Sequence, residues 1–402
     1  MRHTTTRPPS SAGHYRDALT VAATTFVVVV ACSLWGLADP TTVPMVIWLE
    51  PDSRHPFFAD FTLHYWPAAV RCWQQLPPAP GFQYPPGAAV ALAPLAAIGN
   101  EGLAKGCWAI VLALSAAAIA AAPLPNETRR ARVILGLLVV TSVPVWHAVR
   151  WGQVSLPLTA LAIWGSVSAS RLWAGWPLGL AVGMKIYPAV LLPVVAFGSL
   201  TRRPFWQALG AAVLCGVALP VLALGPRLAM EWFAAAALTL SDSSTSWMQL
   251  NSNSQFVPNV VQRFIEPAGT FVALASTAVA VCILAWAVFE ARTGHHFRGL
   301  ALSWLSLPFW APPVWPHYFV FLPWVLMVLD GDVQRRPLAR VLWTWAAVLS
   351  SLAGLAVAGG WMTYVSVGVL AIADSVLVTI AVSCRHWDSA ANHRAVPGPA
   401  SS

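Results

Sequence analysis

The sequence predicts an all-α protein that crosses a membrane about twelve times. Its composition is the first indication, because 57% of the 402 residues are apolar and only 9% are charged, a balance typical of membrane proteins. Long apolar runs alternate with short polar loops, and the basic residues are concentrated in every second loop. Helices are expected because each one satisfies its backbone hydrogen bonds within a single segment, as the bilayer core requires.

Twelve apolar runs are predicted to be the spans. The first, roughly Ala18 to Ala38, has no small-residue cleavage site and is long enough to cross, so it is predicted to be an uncleaved helix. The runs beside Lys185 and His317 are shorter than the roughly 20 residues of a straight span, which predicts broken helices around a cavity. The remaining runs lie near 104–123, 133–149, 154–170, 172–184, 188–200, 205–225, 269–290, 299–311, 317–330, 341–358 and 361–382.

The charge bias sets the predicted topology. If the apolar stretch from Gly87 to Ile98 does not cross, 16 of the 23 basic residues share the cytoplasmic side with the N-terminus. We therefore predict that this stretch is a juxtamembrane helix in the first outer loop of a multi-pass plasma-membrane protein. The predicted parts are a cytoplasmic tail (1–16), one transmembrane domain (17–384) with long extracytoplasmic segments at 39–103 and 226–268, and a cytoplasmic tail (385–402).

The charged residues and the Cys residues make nucleic-acid binding, a metal site and a cofactor unexpected. The net charge of +8 is dispersed among the loops and forms no single patch, so nucleic-acid binding is not expected. The six Cys have no metal-like spacing, and Asp330 and Asp332 fall in a predicted cytoplasmic loop, so neither a metal site nor a cofactor is predicted.

The ratio of the two basic residue types also bears on the source of the sequence. The 21 Arg against 2 Lys indicate a high-GC genome such as that of an actinobacterium.

Unusual polar residues are concentrated in the predicted outer segments. Ionisable groups at the mouth of broken helices are costly to desolvate and are therefore functional candidates. Simpler roles compete with this interpretation: Asp60 can cap a helix, Arg150 can extend toward lipid phosphates, and His317 can be a buried neutral side chain. The candidates are Asp60, His64, Tyr84, Arg150, Gln153, Lys185, Asn253, Gln255, Arg263 and His317.

Several short motifs, taken in order, resemble one family of membrane enzymes. They are Asp60 followed by aromatic residues, Tyr84-Pro85-Pro86, Gly152-Gln153 with Ser155, Gly179-Leu180 through Lys185 to Pro188, Arg202-Arg203, and Pro313-Val-Trp315-Pro-His317-Tyr318. Together they resemble the polyprenol-phosphate-sugar-dependent glycosyltransferases of the C-type superfamily, most closely glycosyltransferase family 87, the mycobacterial-type α-mannosyltransferases. Where that family often has two adjacent His, this chain has His317-Tyr318.

The resemblance implies an inverting transfer of mannose from a polyprenyl-phosphate-mannose donor to a glycolipid or lipoglycan acceptor, outside the cytoplasm. The leaving phosphate needs positive charge and hydrogen bonds, which Lys185, Arg150 and His317 supply with Gln153 beside them. Asp60 is then the general base for the acceptor hydroxyl. The supporting or acceptor-side residues are His64, Tyr84, Asn253, Gln255 and Arg263. The outer loop 226–268, with its Ser/Asn-rich run from Ser241 to Gln255, is expected to be mobile without the lipid donor and to order over the site when the donor binds.

Two alternatives remain open at this point. An arabinosyltransferase that uses a polyprenyl-phosphate arabinose has the same requirements, because the residues that discriminate sugars lie in loops without a motif. A lipid or sugar transporter or flippase also has broken helices with polar residues at depth. The lack of an internal repeat and the placement of the polar residues toward one face favour the enzyme.

Overall fold

The computed structural model describes residues 11–39, 55–79, 82–167, 174–198, 202–243, 251, 253–265, 269–312, 314–334 and 336–394. Regular structure in these residues is helical, and the one β-bridge among them is an isolated antiparallel pair, Ser142 with Ser351. The all-α prediction is therefore confirmed for the described part of the chain.

The first half of the chain contains the helices that surround the outer loop and the first broken hairpin. They are α1 (Ser11–Ala38), α2 (Trp66–Trp73), α3 (Pro86–Ala96), α4 (Glu101–Ala120), α5 (Arg129–Thr141), α6 (Val143–Trp151), α7 (Ser155–Val167), α8 (Trp176–Met184), α9 (Leu192–Gly198), α10 (Arg203–Val213) and α11 (Leu219–Leu224). A 3₁₀ turn at Tyr187–Leu191 precedes α9, and π-helical turns occupy Phe61–Tyr65 and Leu214–Ala218.

The second half repeats the alternation of long and broken helices. Its helices are α12 (Pro226–Ser243), α13 (Val257–Gln262), α14 (Gly269–Arg292), α15 (His296–Leu305), α16 (Leu307–Trp310), α17 (Leu322–Val333), α18 (Pro337–Leu349), α19 (Leu352–Val357), α20 (Trp361–Val367) and α21 (Val369–Arg394). A 3₁₀ turn at Pro316–Phe321 leads into α17.

Four of these helical stretches are long and apolar enough to cross a bilayer by length and composition: Tyr15–Ala38, Glu101–Ala120, Arg203–Leu224 and Thr270–Arg292. A fifth candidate is the pair formed by α20 and the first part of α21, which bend by 47° at their junction. The chain is thus a membrane protein with several apolar helices. The count of about twelve spans stays a prediction, since many predicted runs are helical only in short pieces.

The segment 226–268, which the sequence predicts to be an extracytoplasmic loop, begins with helix α12. Pro226 occupies the first turn, where its missing N–H is not needed, and a run rich in Ala and Leu follows. Trp232 of this helix is fully buried, stacks edge-on against Phe82 at 5.2 Å and donates its indole N–H to the Leu76 carbonyl at 3.2 Å. Helix α12 is therefore anchored to the segment that precedes α3, whereas residues 244–250, 252 and 266–268 of the predicted lid fall outside the described residues.

Close backbone packing holds α8 against α10. A Cβ atom built on Gly179 would overlap the carbonyl oxygen of Ala208 and come within 2.6 Å of the Ala211 Cβ. One turn later, a Cβ on Gly183 would lie 2.8 Å from the Cβ of Cys215. Small residues at helix interfaces permit this approach in membranes, where apolar side chains alone give little drive for association. Because α8 ends at Met184, this packing sets the position of Lys185.

Replacing Gly179 with Val should therefore destabilise the protein, because the new side chain cannot fit without moving α8 away from α10. Overpacking of this kind costs about 1–3 kcal/mol. Gly210→Ala is the matched control, since a Cβ at Gly210 meets nothing within 4 Å and Ala is the better helix former. Thermal unfolding of the purified proteins in one detergent should show a lower midpoint for Gly179→Val only. Equal midpoints for the two variants would contradict the close packing.

Candidate active site

One cavity of about 560 Å³ gathers most of the residues predicted from the sequence. Its walls come from the segments 55–64 and 83–85, the turn between α6 and α7, the turn after α8, and the segment that leads into α17. Seven of the ten candidates line it: Asp60, His64, Tyr84, Gln153, Lys185, Asn253 and His317. Residues separated by up to 257 positions in the chain therefore share one pocket.

Asp60 is half-buried and lies directly before the π-helical turn Phe61–Tyr65. Its side chain makes no capping hydrogen bond to that turn, so the capping role weighed for it is not observed. Instead, the side-chain amide of Gln153 donates to the Asp60 carboxylate. Asp60 is consequently tied to the turn between α6 and α7, and its carboxylate faces the cavity.

A chain of hydrogen bonds sets the direction of the Gln153 amide. The Gln153 Oε1 atom is 2.7 Å from the Tyr65 hydroxyl, which is 2.8 Å from the Tyr84 hydroxyl. An amide oxygen can only accept, so Tyr65 donates to Gln153 and Tyr84 donates to Tyr65. The amide nitrogen of Gln153 must then point to Asp60. Burial is the main cause that raises the pKa of both Tyr65 and Tyr84, so both hydroxyls keep their protons.

The turn that carries Gln153 is built by a glycine. Helix α6 ends at Trp151 and is capped by Gly152, which has the left-handed conformation that closes many helices (φ 66°, ψ 36°). Any side chain at Gly152 would also crowd Phe58 and Phe61, since a Cβ there lies 3.0–3.2 Å from their atoms. Trp108 donates its indole N–H to the Gly152 carbonyl at 2.8 Å. In the Gly152-Gln153 pair, Gly152 thus makes the turn and Gln153 places its side chain in the cavity.

Lys185 enters the cavity from the break after α8 and is only 6% exposed. Its ammonium lies 4.2 Å from the ring centre of Tyr318, 5.0 Å from that of Tyr84 and 5.7 Å from that of Tyr187. It also donates to the Ser155 hydroxyl at 3.3 Å. Ring faces stabilise a desolvated ammonium by up to about 2 kcal/mol. This cage therefore holds a positive charge at the cavity wall.

Burial lowers the pKa of Lys185 to about 7, and the nearby charge of Asp60 opposes part of this shift. Below pH 7 the side chain is mainly an ammonium, and above it mainly a neutral amine. An anion that enters the cavity favours the charged form. The capacity of Lys185 to bind an anion therefore declines as the pH rises through about 7.

His317 faces a second imidazole that comes from another helix. His147 of α6 stacks on His317 at 5.4 Å, with 16° between the rings, and its other face stacks on Trp361 at 5.0 Å. Among the described residues, neither ring nitrogen of His317 nor the Nδ1 atom of His147 has a hydrogen-bond partner. His147 thus places a second imidazole beside His317, although position 318 is Tyr.

Further polar atoms of the lining residues lack partners in the part of the chain that the structure describes. They are the Asn253 side-chain oxygen and the indole N–H groups of Trp151 and Trp310. Buried polar atoms without partners cost free energy unless a ligand or water satisfies them. A cavity with several such atoms beside an ammonium and a carboxylate is suited to a polar, anionic ligand such as a sugar phosphate.

Three of the predicted residues have other surroundings. The Arg150 guanidinium donates to the main-chain carbonyls of His55 and Pro56, each at 2.7 Å, and does not line the cavity. The Arg150 carbonyl also accepts from the N–H of Phe58, whose φ of 61° is strained for a non-glycine residue. Arg150 thus holds the bend that precedes Asp60.

Arg263 and Gln255 brace the outer segment 251–265 against the end of α20. Arg263 donates to the carbonyls of Val365 and Ser366 at 3.0 Å, and the Gln255 amide donates to Val365 at 3.0 Å. The last carbonyls of a helix have no partner within it, and arginine near that end interacts favourably with them. Both residues therefore support the wall that Asn253 completes.

Several residues that line the cavity or contact its lining were not among the candidates chosen from the sequence. Tyr65, Tyr187, Tyr318 and His147 all contact the residues described above. The sequence did contain one indication of the tyrosines, which is that Tyr is rare in it, with 6 Tyr against 22 Trp and 16 Phe. Four of the six tyrosines lie at or beside the cavity. Among the described residues, no cluster of three His, Cys, Asp or Glu side chains is arranged to hold a metal ion.

The titration of Lys185 can be measured directly because the chain has only two lysines. Carbon-13 dimethylation of the purified protein should give two lysine signals, and a Lys105→Arg variant identifies the one that belongs to Lys185. We expect the Lys185 signal to titrate with a midpoint near 7, as burial dictates. A midpoint above about 9.5, close to that of a solvated lysine, would show that the cage does not desolvate the amine.

Comparison with known proteins places the chain in a family. The model of glycosyltransferase family 87 matches residues 82–312, a range that includes Tyr84, Gln153 and Lys185 but neither Asp60 nor His317. A polyprenol-phosphate-mannose-dependent alpha-(1-2)-phosphatidylinositol pentamannoside mannosyltransferase of Mycobacterium tuberculosis is 30% identical over 280 residues. The protein of the same description from Mycolicibacterium smegmatis is 28% identical over 286 residues.

These alignments cover 66% of this chain, and 62% and 66% of the two relatives, respectively. The chain thus matches somewhat less than two thirds of each relative's length. No solved structure matches it. The family model extends over more than half of the chain, and several of the motifs that resembled the family contribute residues to the cavity: the chain belongs to glycosyltransferase family 87.

Proposed function

We propose that this protein transfers a mannosyl residue from a polyprenyl-phosphate-mannose donor to a glycolipid acceptor on the extracytoplasmic side of the membrane. The observation that carries the proposal is the presence of Asp60 and the caged ammonium of Lys185 on the walls of one cavity. Membership of family 87 and the names of the two mycobacterial relatives support the donor and the sugar. Those names also support a phosphatidylinositol mannoside as the acceptor class.

The donor end of the reaction requires positive charge and hydrogen bonds for a departing phosphate. Lys185 supplies the charge, and His317 supplies a ring nitrogen with no partner among the described residues. When the bond between the anomeric carbon and the phosphate oxygen breaks, its electron pair stays on the phosphate, whose negative charge increases. Fixed donors that face this growing charge lower the barrier. Arg150 contributes indirectly, since its guanidinium is engaged by main-chain carbonyls.

The acceptor end requires a base. As the acceptor hydroxyl attacks the anomeric carbon, its proton passes to the Asp60 carboxylate, which the Gln153 amide orients. Attack opposite the leaving phosphate inverts the centre, so a β-linked donor yields an α-linked product. One carboxylate is sufficient, because the donor brings its own leaving group and needs no general acid. Tyr65 and Tyr84 act by keeping Gln153 in the orientation that presents its N–H to the base.

Asp60→Asn should lower the rate of mannosyl transfer by roughly 10²–10⁴-fold, because the amide keeps the shape of the side chain but cannot accept the proton. In the assay, purified protein is incubated with labelled polyprenyl-phosphate mannose and a phosphatidylinositol mannoside, and the labelled product is identified. Asp330→Asn, on α17 and outside the cavity, is the matched control and should retain full activity. An Asp60→Asn protein that transfers mannose at the wild-type rate would remove Asp60 from the mechanism and leave His64 to be tested.

Lys185→Gln serves as the contrasting variant in the same assay. It removes a charge that faces the phosphate already in the ground state, so donor affinity should fall by about 10–100-fold along with turnover. Asp60→Asn should leave donor affinity nearly unchanged.

The identity of the sugar is tested in the same assay. If wild-type protein transfers no mannose but does transfer arabinose from the corresponding donor, the sugar assignment is wrong while the assigned roles of the two residues survive.

The side of the membrane follows from the charge bias, which predicts that the loops bearing Arg130, Arg202 and Arg335 are cytoplasmic and those bearing Asp60, Ser243 and Trp315 external. In a background without native Cys, single Cys replacements of Arg130, Arg202 and Leu63 test this, since all three side chains are exposed. An impermeant thiol reagent added to intact cells should label only position 63. Labelling at positions 130 and 202 instead would place the cavity on the cytoplasmic side.

A further inference from the structure

A second, separate crevice lies between α9 and α10. It has a volume of about 470 Å³, and its walls are apolar except for one guanidinium. Leu192, Pro193, Ala196 and Phe197 line one side and Phe205 and Trp206 the other, with Ala189 and Arg202 completing it. The crevice shares no lining residue with the cavity that contains Asp60.

Positive charge is confined to one end of the crevice. Arg202, at the start of α10, is exposed and lines the crevice. Arg292, the last residue of α14, donates its Nε–H to the Phe197 carbonyl at 3.2 Å, and its guanidinium lies 5.8 Å from the Phe197 ring centre. Among the described residues, the ion pairs of the chain involve neither arginine.

The length of the crevice matches one leaflet of a bilayer. The backbone from Ala189 to Phe197 passes through the end of a 3₁₀ turn and most of α9. The rise of these helices gives a length of about 13 Å, close to half of the roughly 30 Å hydrocarbon core. A slot of this length with cations at one end is complementary to an acyl chain whose headgroup is anionic.

We propose that this crevice binds an anionic phospholipid of the leaflet that borders Arg202. One acyl chain lies along Leu192, Ala196 and Trp206, and the phosphate is bound by Arg202 and Arg292. This leaflet is the cytoplasmic one if the charge bias is followed, and anionic lipids there attract basic residues by about 1 kcal/mol for each Lys or Arg. The inference does not rest on the proposed mannosyl transfer.

The direction of the charge distinguishes this occupant from the tail of the lipid donor. A polyprenyl chain whose phosphate is at Lys185 would enter the crevice from the Ala189 end and would bring an apolar chain end against Arg202. A phospholipid enters from the opposite end, with its phosphate at the arginines and its chain end near Ala189. The second arrangement gives each exposed guanidinium an anionic partner.

The test is native mass spectrometry of the purified protein with added phosphatidylglycerol or phosphatidylcholine of identical acyl chains. We expect one phosphatidylglycerol to be retained in preference to phosphatidylcholine. Arg202→Gln and Arg292→Gln should each weaken retention about fivefold, which is the effect of about 1 kcal/mol. Arg130→Gln removes an exposed arginine of another loop and should leave retention unchanged.

Equal retention of the two phospholipids, or unchanged retention in the Arg202→Gln/Arg292→Gln double variant, would overturn the proposal. Both arginines are exposed, so these variants are expected to fold, and thermal unfolding checks this independently. A polyprenyl phosphate tested as a competitor identifies the other source of a lipid phosphate. If it displaces phosphatidylglycerol from the wild type but not from a Lys185→Gln variant, the crevice holds the donor tail and the assignment to a phospholipid is wrong.

Discussion

The contact between Gln153 and Asp60 is the interaction on which the rest of the site depends. It joins the segment that precedes α2 to the turn between α6 and α7, at residues separated by 93 positions in the chain. The contact has a defined direction because the Tyr65 hydroxyl donates to the oxygen of the Gln153 amide and in turn accepts from Tyr84. It also depends on the left-handed Gly152, which turns the chain so that Gln153 reaches the cavity. A short chain of hydrogen bonds thus fixes the orientation of the Asp60 carboxylate.

Desolvation governs the opposite wall of the cavity. Lys185 is almost fully buried, and three tyrosine rings and the Ser155 hydroxyl take the place of its water shell. Such a cage keeps the ammonium ready for an anion but also brings its pKa to about 7, so charge and affinity become sensitive to pH. The stacked imidazoles of His147 and His317 extend this wall with ring nitrogens that a polar ligand can satisfy. The packing that excludes solvent from Lys185 therefore also places its side chain on the cavity wall.

The hairpin that presents Lys185 connects the cavity to the periphery of the molecule. On one side, Gly179 and Gly183 bring α8 against α10 and the turn after it, where no larger residue fits. On the other side, α9 forms the apolar crevice that ends at Arg202 and Arg292. The crevice and the close packing at the glycines therefore lie on either side of the short segment that carries Lys185.

Composition and apolar runs alone determined that this is a helical membrane protein, since continuous apolar runs of about 20 residues have the length of a spanning helix, which satisfies its backbone hydrogen bonds within the segment. The order of motifs likewise led to the family and to Asp60, Gln153, Lys185 and His317, because each interrupts an apolar context at visible cost. Only the tertiary structure decided that Arg150 and Arg263 support main-chain segments and that His147 stands beside His317. Sequence spacing cannot reveal such partners, because a guanidinium satisfied by distant carbonyls and one open to a ligand look the same until the chain is folded.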